Sequence, residues 1–283
     1  MSPGFAVKRA SLDSGLVVLE RLGYEVRLGE HVLTRYGYLA GDDEQRASDL
    51  RALLGRPELS ALWFARGGYG TARLLPEVPW ATLRRDPKLL IGYSDLTALF
   101  NAVIDRTPAI CLYGPVVTEL GEPRAWHGPS LRTLLAGRPL TMRFARRDVL
   151  VEGRAAGRLI GGNLSVLTHL LGTPYQPDFR DAILFLEETG EQTYRVDRML
   201  TQLRQSGALR KLAGVLLGAI AAPARRRFPS DRRLDDVLNE ALVPLGVPVI
   251  RGLAAGHLAG KRTLPLGART VIDCASRTIR FEP

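Results

Sequence analysis

The sequence predicts an α/β architecture in two units. Short apolar runs alternate with helical patterns, which favours wound, mainly parallel sheet. A chain of 283 residues with 46% hydrophobic content is long enough for two moderate cores. A stretch rich in glycine and proline, including GEPRAWHGPS and AGRPL, separates the first run of alternation from the second. The expected division is 1–118 for an N-terminal wound α/β unit, 119–156 for a crossover, and 157–283 for a mixed α/β unit with a β-rich end.

In the first unit, Leu12, Leu16, Leu19 and Leu22 recur at helical spacing and stop at Gly23. Tyr24–Leu28, Ala61–Ala65, Leu89–Tyr93 and Ala109–Leu112 read as strands, with helices at Asp43–Leu54 and Asp95–Ile104 between them. The second unit opens with GRLIGGNLSVLTHLLG, a strand, a glycine turn and a helix that Asn163 caps. Strands follow at Ala182–Glu187, Val215–Ile220 and Val247–Ile250, and Val196, Met199, Leu200 and Leu203 mark a helix between the first two. RTVIDCASRTIRF reads as two alternating runs around Ala275-Ser276.

Composition narrows the function classes. No run of about 18 apolar residues exists, so no membrane partner is expected. The start, MSPGFAVKRASLDSG, lacks the apolar segment of a secretory signal, and a cytoplasmic location is expected. Cys111 and Cys274 sit in apolar contexts without motif spacing and read as buried reduced thiols. The charge of +10 is dispersed and carried mostly by arginine, apart from Arg225-Arg226-Arg227 and Arg232-Arg233, which read as a solvated loop. With no zinc-finger spacing or RNA-binding aromatic signature, the charge points to an acidic small substrate rather than nucleic acid.

The chemistry concentrates in KLLIGYSDLT (88–97), where an apolar strand turns at Ser94 into a helix. Such a turn lifts a serine hydroxyl clear of the sheet and aims unpaired helical N–H groups at it. The same position also suits a plain helix cap. A serine nucleophile needs a base, and among the four histidines His257 stands out in the glycine-bounded loop AAGHLAGKRTLPLGA. His31 follows a turn, His127 lies in the crossover and His169 lies on a leucine-rich helix. Glu187, at the carboxyl end of AILFLE, is placed to orient such a base, and Glu188 should point the other way in extended chain. An exposed acidic strand end is the alternative for both. ARGGYGTAR (65–73) follows a strand and lets the backbone of Gly67, Gly68 and Gly70 approach an anion or oxyanion, or makes only a tight turn. It fits neither the dinucleotide fingerprint nor a Walker loop.

The segments RGGYGTARLLP (66–76), IGYSDLTALF (91–100), GGNLSVLTHLLGTPYQPDF (161–179), ILFLEETGEQTYRVDRMLTQL (183–203) and GHLAGKRTLPLGA (256–268), in this order and spacing, closely resemble the LD-carboxypeptidase family of serine peptidases. That family includes the muramoyl-tetrapeptide carboxypeptidases and the microcin C immunity peptidases, and the resemblance covers nearly the whole chain. It implies a triad of Ser94, Glu187 and His257, with the backbone N–H groups of Gly68 and Asp95 as oxyanion hole. It further implies a flavodoxin- or Rossmann-like N-terminal domain bearing the serine, a C-terminal domain bearing acid and base, a site at their interface, and often a homodimer. The implied substrate is a cytoplasmic muropeptide of peptidoglycan recycling that loses its terminal D-alanine. No metal is expected, since the chain has no HExxH or Cys/His ligand cluster, and no cofactor is implied. Family members usually open with an apolar strand and a proline turn, whereas this chain opens at MSPGFAVKRA, where that turn would fall. An uncovered edge or an empty slot in the first sheet is therefore expected. The alternatives are an immunity peptidase acting on a peptidyl-nucleotide, with Trp126 as platform for the base, a phosphate-binding kinase built on RGGYG, and a basic nucleic-acid-binding protein.

Overall fold

The computed structural model describes residues 1–221 and 232–283, so the Arg225–Arg227 cluster lies outside the described residues. The leucine face builds α1 (Arg9–Arg21), which the chain leaves through Gly23 at φ +85°. α2 (Asp43–Leu54) starts where Asp42 and Gln45 close a capping box. β1 (Ala61–Trp63), α3 (Trp80–Arg85), β2 (Leu89–Gly92), α4 (Thr97–Arg106) and β3 (Cys111–Tyr113) follow, and the three strands pair in parallel.

Tyr24–Leu28 forms no strand. A strand needs a ladder for its N–H and C=O groups, and here an apolar cavity of about 350 Å³, lined by Leu19, Val26, Leu62 and Trp63 among others, separates the segment from β1. β1 is accordingly the edge of its sheet, as the family resemblance leads one to expect. The Met1 carbonyl accepts the Ala65 N–H just beyond its end.

Residues 119–156 hold more regular structure than their glycine and proline content suggests. After α5 (Val117–Leu120) come α6 (Gly128–Leu135), β4 (Leu140–Arg143), β5 (Val149–Val151) and the start of β6 (Arg154–Asn163). α7 (Leu164–His169), β7 (Ala182–Thr189), α8 (Thr193–Gln205), β8 (Gly214–Ala221), α9 (Leu234–Leu242), β9 (Val249–Ile250), β10 (Leu264–Leu266), β11 (Arg269–Asp273) and β12 (Thr278–Glu282) complete the described chain. The second sheet has the order β4-β12-β11-β6-β7-β8-β9-β5, parallel from β6 to β9 and antiparallel on both flanks. Its central strands are buried on both faces, which is why they read as unbroken apolar runs.

The two sheets are interlocked. β10 leaves the C-terminal half to pair antiparallel with β3, giving a first sheet of order β1-β2-β3-β10. Between the sheets, buried Asn101 on α4 donates to the Gly161 carbonyl at 2.9 Å and accepts the Gly161 N–H at 2.9 Å. Thr97 Oγ1 accepts the Asn163 N–H at 2.9 Å. α4 is thereby stitched to β6. Cys111 and Cys274 are both buried and free, and burial raises the Cys111 thiol far above its ordinary range.

Candidate active site

Ser94 opens a 3-10 turn at the carboxyl end of β2 that runs directly into α4. It holds φ at +69°, a left-handed conformation that costs a non-glycine residue roughly 1–3 kcal/mol and turns the side chain out of the sheet. Its Oγ lies 3.1 Å from His257 Nε2. His257 Nδ1 lies 2.7 Å from Glu187 Oε2, the His257 backbone N–H donates to the same oxygen at 3.0 Å, and Tyr113 Oη donates to Oε1 at 2.8 Å. Three residues from three separate segments thus form one continuous chain. The acid is fully buried, and both of its carboxylate oxygens have hydrogen-bond partners, as a buried polar group requires.

Gly256 makes that approach possible. It sits at φ +97°, and a Cβ there would come within 2.5 Å of Glu187 Oε2. An exposed acidic strand end therefore describes neither Glu187 nor Glu188. Glu188, also buried, accepts Asn163 Nδ2 at 3.1 Å and the Ser165 N–H at 2.8 Å and so anchors the start of α7 instead. A register irregularity between Leu186 and Glu188 accompanies this division of the two side chains.

The glycine loop after β1 comes up against the serine. A Cβ on Gly67 would stand 3.1 Å from Ser94 Cβ and 3.5 Å from Ser94 Oγ, so only backbone fits there. The loop is tied down by Asp95, whose carboxylate accepts the Thr71 N–H at 2.8 Å and the Thr71 hydroxyl at 2.6 Å. Burial raises the Asp95 carboxyl, and the Thr71 hydrogen bonds pull it the other way. Arg46, fully buried, clamps the loop from beneath through the Gly70 carbonyl at 3.1 Å and also reaches the Pro3 carbonyl. Gly67 therefore stands against Ser94 on fixed backbone, with Gly68 next in the same loop and covered by the Phe5 ring, while Asp95 follows the serine directly.

Tyr113, Tyr93, Glu119 and Lys261 complete the surroundings, and sequence reasoning gave none of them a role. The Tyr93 ring lies 4.8 Å from the His257 ring, its hydroxyl donates to Glu119 Oε1 at 2.7 Å, and Lys261 Nζ reaches the same oxygen at 3.0 Å from 4.8 Å above the Tyr93 ring. Burial first, then the charge of Glu119, pushes the Tyr93 phenol up, so it stays a neutral donor. A tyrosine just before the candidate serine, and a lysine four residues past the candidate histidine, were the available signals. The other histidines lie elsewhere: His31 pairs with Asp49, His127 caps α6, and His169 ends α7. Among the described residues no group of three or more His, Cys, Asp or Glu could hold a metal ion, and no helix is long and apolar enough to cross a membrane.

The models for the N-terminal and C-terminal domains of LD-carboxypeptidases match residues 1–114 and 156–272. The murein tetrapeptide carboxypeptidase of Pseudomonas aeruginosa is 34% identical, over 96% of this chain and 92% of that protein. The crystal structure of a muramoyltetrapeptide carboxypeptidase from Oxalobacter formigenes superposes with a TM-score of 0.88 at 30% identity, covering 99% of this chain and 97% of that one. The microcin C7 self-immunity protein MccF superposes with a TM-score of 0.86 at 25% identity, covering 100% and 94%.

Proposed function

Because the chain belongs to the LD-carboxypeptidase family, we propose that it is a serine LD-carboxypeptidase that removes the terminal D-alanine from muropeptide tetrapeptides. The observation that carries this reading is the unbroken relay Ser94 Oγ to His257 Nε2 at 3.1 Å and His257 Nδ1 to Glu187 Oε2 at 2.7 Å. With Nδ1–H held by the carboxylate, Nε2 is left as the acceptor of the serine proton, the tautomer that general-base catalysis requires. His257 takes that proton as Ser94 Oγ attacks the amide carbonyl, and Glu187 stabilises the resulting imidazolium. The N–H groups of Gly68 and Asp95 receive the oxyanion. The imidazolium then protonates the departing amine of D-alanine, and water activated by the same imidazole releases the acyl group from Ser94. A cytoplasmic place in peptidoglycan recycling and a homodimer belong to this reading on the strength of the family resemblance.

The net charge of +10 favours a peptide that carries several carboxylates, by steering. A peptidyl-nucleotide would use the same relay. Trp126, however, donates its indole N–H to the Leu120 carbonyl at 3.3 Å and packs against the small core beneath α1, which favours the muropeptide over a stacked nucleobase.

The test is incubation of wild type and Ser94→Ala with the free tetrapeptide, with and without chelator, and assay of D-alanine. Wild type should release D-alanine at a rate that EDTA leaves unchanged, and Ser94→Ala should be slower by about 10³-fold or more. Absence of release, release that survives the substitution, or loss with EDTA each rejects the proposal in a distinguishable way.

A further inference from the structure

Tyr113 makes no hydrogen bond to the serine oxygen or to the imidazole, yet its hydroxyl is hydrogen-bonded to both the backbone of Ser94 and the carboxylate of Glu187. It accepts the Ser94 N–H at 3.1 Å and donates to Glu187 Oε1 at 2.8 Å, with Thr97 Oγ1 at 3.5 Å. We propose that Tyr113 is a positioning residue that couples the seating of Glu187 to the left-handed backbone of Ser94, so that nucleophile and acid are set by one hydroxyl. The inference rests on the proposed peptidase reading.

Counting donors fixes the direction of the chain. A phenol has one proton, and Glu187, already receiving two N–H groups on Oε2, is an acceptor only, so that proton goes to Oε1. The lone pairs of the phenol are then left for the Ser94 N–H. The order is Ser94 N–H to Tyr113 O–H to Glu187 to His257, and bonds linked in this way polarise one another. Burial, with the charge of Glu187 adding to it, pushes the Tyr113 phenol up, which keeps the proton in place.

The hydroxyl has little freedom to wander. The Tyr113 ring is fully buried, edge-on to Tyr93 at 5.5–6.0 Å from it and from Phe185, with interplanar angles of 86° and 73°. Gly162 makes the space, since a Cβ there would meet Tyr113 Cε2 at 2.9 Å. Tyr113 ends β3 in the first sheet, and Glu187 lies on β7 in the second. The hydroxyl therefore spans the seam, and the strained φ of +69° at Ser94 has an identified restraint. Because the Ser94 N–H is spent on Tyr113, it is not available to an oxyanion, which leaves that duty to Gly68 and Asp95.

The experiment compares wild type, Tyr113→Phe, and protein with 3,5-difluorotyrosine in place of Tyr113. Two readouts are followed across pH: D-alanine release from the tetrapeptide and the rate at which a fluorophosphonate probe labels Ser94. Tyr113→Phe should lower kcat and labelling about 10- to 100-fold with KM changed by no more than about threefold, the worth of one or two catalytic hydrogen bonds. Its low-pH limb should move to higher pH, because Glu187, short of one donor, presents more charge to the imidazole. Difluorotyrosine, a stronger donor, should move that limb to lower pH. A purely structural tyrosine would lower the melting temperature and leave both limbs where they are, and that result overturns the proposal. If Tyr113→Phe fails to fold, the direction of the difluorotyrosine shift decides alone. Labelling that responds as stated in a protein that releases no D-alanine removes the carboxypeptidase reading and leaves the coupling. D-alanine release with labelling limbs unmoved does the reverse.

Discussion

Gly256 controls whether acid and base meet. Its φ of +97° is one that only glycine adopts without strain, and an alanine Cβ would lie 2.5–2.7 Å from Glu187 Oε2, Cβ and Cγ. Because Glu187 is fully buried and held by Tyr113, it has no free volume into which to retreat. Gly256→Ala should lower kcat/KM about 100-fold or more, the scale on which an ångström of misplacement acts, while folded protein is still recovered. Activity within a few-fold of wild type would show that the pair tolerates displacement. Ser94, Glu187 and His257 were legible as candidates because each occupies a conspicuous place, a strand-to-helix turn, a strand end or a glycine-bounded loop, and it was the family resemblance that joined them into a triad. Tyr113 was not, because a tyrosine closing an apolar strand looks like any core residue until its hydroxyl partners arrive from Ser94 and from Glu187, 74 positions further along.

The elements that sequence reasoning placed best are those whose information is local. α2 falls on Asp43–Leu54 because a capping box fixes its start, and α8 buries Val196, Met199, Leu200 and Leu203 because their spacing defines one face. β4 and β5 were passed over because each is short and finds its partner far away, β4 on β12 and β5 on β9. Tyr24–Leu28 erred the other way, since its alternation is that of a strand but no ladder adjoins it. The seam between the halves depends on a similarly non-local contact, Asn101, whose amide serves both the N–H and the carbonyl of Gly161 and also reaches the Thr97 carbonyl at 2.7 Å. Asn101→Leu keeps the volume and strands those groups in a dry interior. It should destabilise the protein by about 2–4 kcal/mol in urea or guanidinium unfolding, and a loss under about 0.5 kcal/mol would mean that the seam is held by packing alone.

At the scale of the whole molecule, β10 ties the sheets into one body and sets Ser94 and Tyr113 on one sheet against Glu187 on the other, with His257 arriving from the loop before β10. The complementary weakness lies at the far edge, where β1 faces the apolar cavity and Met1 is buried beside it.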